Sequence, residues 1–498
     1  MYCRNLNINM GQYTFKQVLK FHTFVKYKVF KMIRLEETIC AAATGQGGAI
    51  AVIRMSGPRS FDVCRKVFFP ADEKKDLSEY KGYNIIFGEI RSGGEIIDEV
   101  LISIFRAPHS YTGENSVEIS CHASQYIQRK IIELLILNGA SAALPGEFTQ
   151  RAFLNGKMDL TQAEAVADLI GSSARLAHRV ALNQMRGGFS QEISKLRSEL
   201  LQFASLIELE LDFGEEDVEF ADRKELILII TRIKSLADSL ASSFRTGNAI
   251  KNGIPVVIAG KPNSGKSTLL NALLMEERAI VSEIPGTTRD TIEDVFVIEG
   301  VEFRFIDTAG LRDTSDVIEN LGIKKTHEKI DDASIVLFID EATSKSSDIN
   351  TRAAIIRERL SGTGKALMII INKTDLTDNN KTEKLKNEIH LVGNEKMLFI
   401  SAREKTGLEE LRLKLTEAAM KDNVVGEDVI ITSLRHFEAL KEVSGSLGRV
   451  LEGLETGIPD DLIATDIKQA IHYLGMISGQ ITTDEILGNI FKNFCIGK

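Results

Sequence analysis

The stretch IPVVIAGKPNSGKSTLLNALL, from Ile254 to Leu274, puts a β-branched run, a glycine-rich loop and an apolar helical segment in direct succession. Gly260, four residues and then Gly265-Lys266-Ser267 is the spacing of a phosphate-binding loop. Glycines let successive backbone N–H groups close around phosphate oxygens, the lysine reaches the β- and γ-phosphates, and the serine hydroxyl can ligate Mg²⁺. Such a loop works at the C-terminal end of a strand in a mostly parallel sheet. The following sequence supplies that sheet: VFVIEGVEFRFIDTAG, SIVLFID, ALMIIINKTD and MLFISA are short β-rich runs separated by helical segments. The region is therefore expected to be a Ras-like P-loop α/β module.

The remaining nucleotide-handling groups occur in the order that hydrolysis of GTP requires. Thr288 of PGTTRD can supply a second Mg²⁺ oxygen, Asp307 of DTAG can hold the ion through water, and the Gly310 N–H can meet the γ-phosphate. Asn372, Lys373 and Asp375 form NKTD, whose Asp375 carboxylate can accept from the N1 and N2 hydrogens of guanine, a pattern that adenine lacks. Ser401 and Ala402 fit a final loop around the base, and Asn263, Ser264, Gly265, Lys266, Ser267 and Thr268 form the phosphate loop. One position breaks the common pattern. Leu311, directly after DTAG, stands where many GTPases carry the glutamine that orients the attacking water, and leucine can neither donate nor accept. A polar group must come from elsewhere, with Asp316 or Glu319 of DTSDVIENLGIKK the nearest candidates.

A chain of 498 residues is too long for one core. No proline lies between Pro145 and Pro255, and within that span Leu196, Leu200, Phe203, Ile207 and Leu211 recur at helical steps, the stripe of a packed bundle helix. Helical spacing returns after about Lys421. The expected organisation is a basic extension over 1–31, an α+β domain over 32–150, the two parts of an all-α domain over 151–250 and 421–498, and the GTP-binding module inserted between them over 251–420. The net charge of −9 argues against a protein that coats nucleic acid with a broad basic surface. The five cysteines contain no CxxC pair, which fits a reducing compartment and gives no zinc site. No apolar run is long enough to span a membrane. The first 34 residues carry seven Lys and Arg and no acid, a composition resembling an organellar presequence; the reading adopted is that translation starts at Met32 and the protein is cytoplasmic.

From about Glu36 to Lys498 the chain resembles the family of tRNA modification GTPases called MnmE or TrmE. The resemblance rests on ETICAAATGQGGAIAVIRMSG, SYTGENSVEISCHAS, LPGEFTQRAFLNGKMDLTQAEAVADLI, the GTTRD motif and the terminal FCIGK. It implies an N-terminal domain that binds 5-formyl- or methylene-tetrahydrofolate and forms a homodimer, with a helical domain and an inserted GTPase domain. It further implies a heterotetramer with the flavoprotein MnmG, which carries the FAD and uses NADH. Together they would add an aminomethyl or carboxymethylaminomethyl group at C5 of the wobble uridine, U34, of certain tRNAs.

Carried over residue by residue, the family's folate contacts fall on Arg54, Glu118, Lys157 and Lys498. Its K⁺ ligands fall on Asn263 and on backbone carbonyls around Ser282, Ile284 and Thr287, and its water-orienting acid falls on Glu319. K⁺ would replace the charge of an arginine finger as two GTPase modules meet across their nucleotide faces. Cys495 could be a nucleophile, but NFCIGK holds no base to activate it, so packing near the folate site is the preferred role. A ribosome-assembly GTPase, a folate-dependent one-carbon transferase merely regulated by GTP, and a non-catalytic dimeric scaffold are the alternatives.

Overall fold

The computed structural model describes residues 36–45, 47–72, 77–212, 223–276, 294–306, 330–420, 429–492 and 494–497. The basic extension and Ser282, Ile284, Thr287, Thr288, Asp307, Gly310, Leu311, Asp316, Glu319 and Lys498 lie outside the described residues. The chain divides into two compact units, one running up to Ala167 and resuming at Gly479, the other spanning Asp168–Ser478. The C-terminal stretch from Gly479 therefore belongs with the N-terminal unit, whereas the sequence pattern groups it with the preceding helices.

The first unit is built on a sheet of seven strands: β1 (Ile39–Ala42), β2 (Ile50–Ser56), β3 (Phe68–Pro70), β4 (Asn84–Ser92), β5 (Glu95–Phe105), β6 (Ser116–His122) and β7 (Ser141–Ala142). Their order is β3-β4-β5-β6-β2-β1-β7, antiparallel except for the β1–β7 pair. Alternation along the strands sends Ile53, Met55, Ile102, Ile104, Val117 and Ile119 to one face. There they pack on α1 (Ser60–Arg65) and α2 (Gln125–Leu137) through Val63, Ile131 and Leu135. The opposite face reads Ile85–Ser103–Glu118–Arg54–Ala41 from strand to strand, and Phe87–Leu101–Ser120–Val52 in the next row. Phe69, Ile85, Phe87 and Leu101 on that face are exposed.

Helix α3 (Glu147–Leu154) covers the end of the second face near β1, burying Phe148 against Ile39 and Ala41. Helix α4 (Leu160–Gly171) follows, and its Leu160 and Ala163 pack with Leu487 and Phe491 from the C-terminal part of the chain. Gly146 is indispensable to this packing. Its φ is +67°, and a Cβ there would lie 2.8 Å from the Phe491 carbonyl oxygen and 2.9 Å from the Phe494 Cβ.

In the second unit α5 (Arg175–Met185) leads to two long helices, α6 (Gly188–Asp212) and α7 (Arg223–Asn252). The stripe Leu196, Leu200, Phe203 and Ile207 is buried in a core shared with Ile230, Ile233, Leu440, Val443, Ile467 and Leu474. The GTPase module contains β8 (Ile254–Ala259), α8 (Lys266–Glu276), β9 (Asp294–Ile298), β10 (Val301–Phe305), β11 (Ile335–Glu341), α9 (Ser346–Leu360), β12 (Ala366–Asn372), α10 (Asn379–Glu388), β13 (Lys396–Phe399) and α11 (Leu408–Met420). Its six strands follow the order β13-β12-β11-β8-β10-β9 and are parallel apart from the edge strand β9. The run VFVIEGVEF folds as a two-residue hairpin because Glu299 and Gly300 both take positive φ, 51° and 75°. Helices α12 (Leu434–Thr456) and α13 (Asp460–Ser478) complete the helical core, and α14 (Asp484–Lys492) returns to the first unit.

Candidate functional site

The phosphate loop connects β8 to α8, and two of its glycines are fixed by close approach. A Cβ on Gly260 would lie 2.2 Å from the Ile339 carbonyl oxygen, and one on Gly265, at φ +96°, 2.1 Å from Asn372 Nδ2. The loop can therefore close tightly only without side chains at these places. Lys266 Nζ donates to the carbonyls of Gly260 at 2.9 Å and Lys261 at 2.8 Å, across the mouth of the loop. Burial pulls its ammonium below the usual lysine value, which favours an anionic partner for this charge. Ser267 lies in the first turn of α8, where orphan N–H groups and the helix dipole attract phosphate. Ser264 is fully buried, and its hydroxyl has no hydrogen-bond partner among the described residues. Asn263 holds φ +61°, a left-handed conformation that asparagine tolerates better than most residues.

The base-reading end converges on the same loop. At the C-terminal end of β12, Asn372 Nδ2 donates to the Ser264 carbonyl at 2.9 Å while its Oδ1 accepts from the Ala402 N–H at 3.0 Å. One buried side chain thus ties the phosphate loop to the SA loop after β13. Asp375 lies in the 3-10 turn Thr374–Leu376, and Ser401 Oγ donates to its carboxylate at 2.5 Å. That bond fixes one oxygen and orients the other. The arrangement unites Asn263 to Thr268, Asn372 to Asp375, and Ser401 with Ala402 at one edge of one sheet, from segments up to 139 residues apart. Two glycines without Cβ space, a buried serine hydroxyl and a lysine turned to the loop fit a nucleotide phosphate with Mg²⁺ at Ser267.

A second constellation lies on the first unit's sheet. Arg54 Nε pairs with Glu118 Oε1 at 2.9 Å, and Arg54 Nη1 donates to the Gly497 carbonyl at 3.3 Å. The guanidinium stands 5.2 Å from the Tyr111 ring centre and 5.7 Å from that of Phe148. Burial raises the Tyr111 hydroxyl above its usual value, and the hydroxyl shares a 2.9 Å hydrogen bond with Thr149. The chain's last residues reach this place because Gly497, at φ +96°, lies against the end of β1, where a Cβ would be 2.1 Å from the Ala42 carbonyl oxygen. The Gly146 N–H donates to the Cys495 carbonyl at 3.3 Å. A cation, a carboxylate and two aromatic rings are a donor set that suits a pterin and its acidic tail.

Lys157 is not drawn to Arg54. Its ammonium donates to the Pro108 carbonyl at 3.1 Å, on the same 106–115 loop that carries Tyr111. Cys495 is exposed rather than packed. Cys40, Cys64 and Cys121 are buried, and burial pushes their thiols up to about 11, 12 and 11, so they are inert.

Sequence reasoning missed a buried charge cluster behind Phe148. Arg151 is fully buried and donates to Glu147 at 3.0 Å, to Glu114 at 3.2 Å and to the Glu37 carbonyl at 2.8 Å. Glu114 also accepts from Ser56 at 2.7 Å, so the cluster anchors the Tyr111 loop to β2. The one available signal was the paired Glu147 and Arg151 at helical spacing in GEFTQR, which reads equally as a surface pair. Among the described residues no group of three His, Cys, Asp or Glu could hold a metal, and no helix is long and apolar enough to cross a membrane.

Comparison with known proteins matches two family models in succession. Residues 38–157 match the family model for the GTP-binding protein TrmE N-terminus, and residues 160–495 match that for the MnmE helical domain. The tRNA modification GTPase MnmE of Bacteroides thetaiotaomicron is 52% identical over 465 residues, which cover 93% of this chain and all of that one. That of Flavobacterium psychrophilum is 52% identical over 464 residues, covering 93% and 99%. That of Cytophaga hutchinsonii is 48% identical over 465 residues, covering 93% and 98%. With both family models matched in order and half the residues shared along nearly the whole length, this chain belongs to the MnmE (TrmE) family of tRNA modification GTPases.

Proposed function

We propose that this protein is a GTP hydrolase that works with a flavoprotein partner of the MnmG type to add an aminomethyl or carboxymethylaminomethyl group at C5 of the wobble uridine of certain tRNAs. The observation that carries the reading is Asn372, whose side chain joins the phosphate loop to the base loop beside an Asp375 carboxylate oriented by Ser401. A guanine-reading turn joined to a phosphate-holding loop is of no use to a scaffold. Asp375 accepts from guanine N1 and N2, Lys266 holds the β- and γ-oxygens, and the backbone of the loop closes on the phosphates. Glu319 positions the attacking water, and Thr288, Asp307 and Gly310 complete the γ-phosphate side. Mg²⁺ at Ser267 and K⁺ at Asn263 supply positive charge to the phosphates when bound.

The second site is proposed to take formyl- or methylene-tetrahydrofolate, the source of the one-carbon unit. Arg54, Glu118, Lys157 and Lys498 are its proposed contacts: cations and a carboxylate suit its acidic tail and its pterin edge, and Lys157 fixes the rim through the 106–115 loop. The domain limits 32–150, 151–250, 251–420 and 421–498 belong to this proposal. So does a homodimer built on the exposed row of Phe69, Ile85, Phe87 and Leu101, which shares its sheet face with Arg54 and Glu118. The assembly is placed in the cytoplasm.

The test is mass spectrometry of tRNA nucleosides from cells lacking this gene, with and without a plasmid copy. Unmodified U34 restored by the plasmid is the expected result. A normal wobble profile together with a ribosome-subunit defect would favour the ribosome-assembly alternative.

A further inference from the structure

The nucleotide site has a second tie between its two walls, and no motif announces it. Glu341 ends β11, midway between the phosphate loop after β8 and the NKTD turn after β12, because β11 is the strand between those two. Its Oε2 accepts from Lys261 Nζ at 3.0 Å and its Oε1 from Lys373 Nζ at 2.5 Å. Lys261 lies in the phosphate loop and Lys373 in the base-reading turn, so one carboxylate holds both.

The neighbourhood is arranged to keep that carboxylate in place. Asp340, fully buried, accepts from Arg352 at 2.7 Å and from Ser344 Oγ at 2.8 Å, while Lys261 also donates to Ser344 Oγ at 3.0 Å. The backbone at Lys373 is left-handed, φ +62°, a conformation that costs a lysine energy and persists only where contacts impose it. This φ turns Lys373 back towards Glu341 and leaves Asp375 to Ser401. Burial alone would raise the Glu341 carboxyl, but hydrogen bonds and charge from Lys373 and Lys261 outweigh it and bring it down to about 2. The carboxylate is therefore ionised at every working pH.

We infer that Glu341 is a positioning residue of the nucleotide site: by clasping Lys261 and Lys373 it makes the phosphate loop and the base-reading turn move as one, and so sets how long a guanine nucleotide stays bound. Glu341 does not touch the nucleotide. Its effect passes through Lys373, which borders the base, and through the loop around the phosphates. The inference rests on the reading of this module as a GTPase.

The experiment is dissociation of fluorescent mant-GDP from the full-length protein, measured by stopped flow, with steady-state GTP hydrolysis alongside. Losing the charge-assisted hydrogen bonds in Glu341→Gln should speed mant-GDP release about tenfold and raise KM for GTP in step, with kcat moving less than about twofold. Glu341→Asp, which keeps the charge, should recover a large part of the loss. Lys261→Met should also speed release, and the Glu341→Gln, Lys261→Met double variant should be little faster than Glu341→Gln alone, because the two act through one clasp. Lys261→Met carries the test by itself if Glu341→Gln does not fold. Release within about twofold of the unsubstituted protein in both single variants, independent multiplicative effects, or a fall in kcat at constant KM would overturn the inference. An unsubstituted protein that binds no mant-GDP would instead overturn the GTPase reading.

Discussion

The substitution Gly497→Ala adds one methyl group and should abolish the second site. Its Cβ would sit 2.1 Å from the Ala42 carbonyl oxygen and 3.0 Å from both the Ala42 carbonyl carbon and the Ala43 Cα. All of these are backbone atoms at the end of β1 and cannot swing aside, so the tail must leave. Departure breaks the hydrogen bond from Arg54, worth about 1.5–3 kcal/mol because its donor is charged, and the one from Gly146 to Cys495, worth about 1 kcal/mol. Alanine at φ +96° adds roughly 1–2 kcal/mol of backbone strain to any docked form. The backbone clash must outweigh those bonds for the tail to leave, and a net bias of about 3 kcal/mol against docking lowers the docked population by about a hundredfold. Ligand affinity falls with the fraction of competent protein, so isothermal calorimetry with formyl-tetrahydrofolate should show binding weakened by at least about tenfold. GTP turnover should stay within about twofold. Gly93→Ala is the control, because Gly93 also has positive φ, +58°, yet its added Cβ meets nothing within 4 Å. Unchanged folate affinity in Gly497→Ala, or equal losses in both variants, would refute the argument from steric exclusion.

Asp375→Asn should shift preference from GTP towards XTP, since one acceptor facing guanine becomes a donor; retained GTP affinity with rejection of XTP in a competition assay would contradict that role. Asn263→Gly preserves the left-handed backbone at φ +61° while removing the amide, so K⁺ stimulation over Na⁺ should vanish and slow basal hydrolysis remain. Glu319→Ala should lower kcat about a hundredfold at nearly constant GTP affinity, and steady-state rates of both variants in K⁺ and Na⁺ check the pair. The Glu341 carboxyl lies lower in the fold than its ordinary 4.5, at about 2, so the stability its pairs contribute is complete above about pH 4.5 and lost as pH falls towards 2. That contribution is at most about 3 kcal/mol, and chemical denaturation across this window should show a flatter acid limb for Glu341→Gln than for the unsubstituted protein.

The parts legible in the sequence are those whose physics is local. Gly260, Gly265 and Lys266 sit within one strand–loop–helix unit, and the stripe of Leu196, Leu200, Phe203 and Ile207 follows from helical periodicity alone. NKTD declares itself by ending a β-branched run, as β12 does. The hairpin at Glu299 and Gly300 was less clear, because a left-handed glutamate is uncommon and the run reads as one continuous strand. What stayed hidden depends on distant segments meeting. Arg54 and Gly497 are 443 residues apart, and neither shows in sequence that a tail lies against β1. Glu341 resembles any acid after a strand until sheet order puts it between two lysines. Arg151 looks like a surface cation until α3, which carries it, packs down and buries it against Glu114 and the Glu37 carbonyl.

The central claim, that GTP hydrolysis by this chain drives insertion of a folate-derived carbon into tRNA, is tested most directly by reconstitution. The full-length protein, an MnmG-type partner with FAD and NADH, unmodified tRNA, K⁺, Mg²⁺ and ¹³C-labelled formyl- or methylene-tetrahydrofolate would be incubated with and without GTP, and the wobble nucleoside analysed by mass spectrometry. The account predicts the label in the carbon attached to C5 of U34 only when GTP is present and only with intact Arg54 and Asp375. Label appearing equally without GTP, or modified U34 carrying no ¹³C, would contradict it.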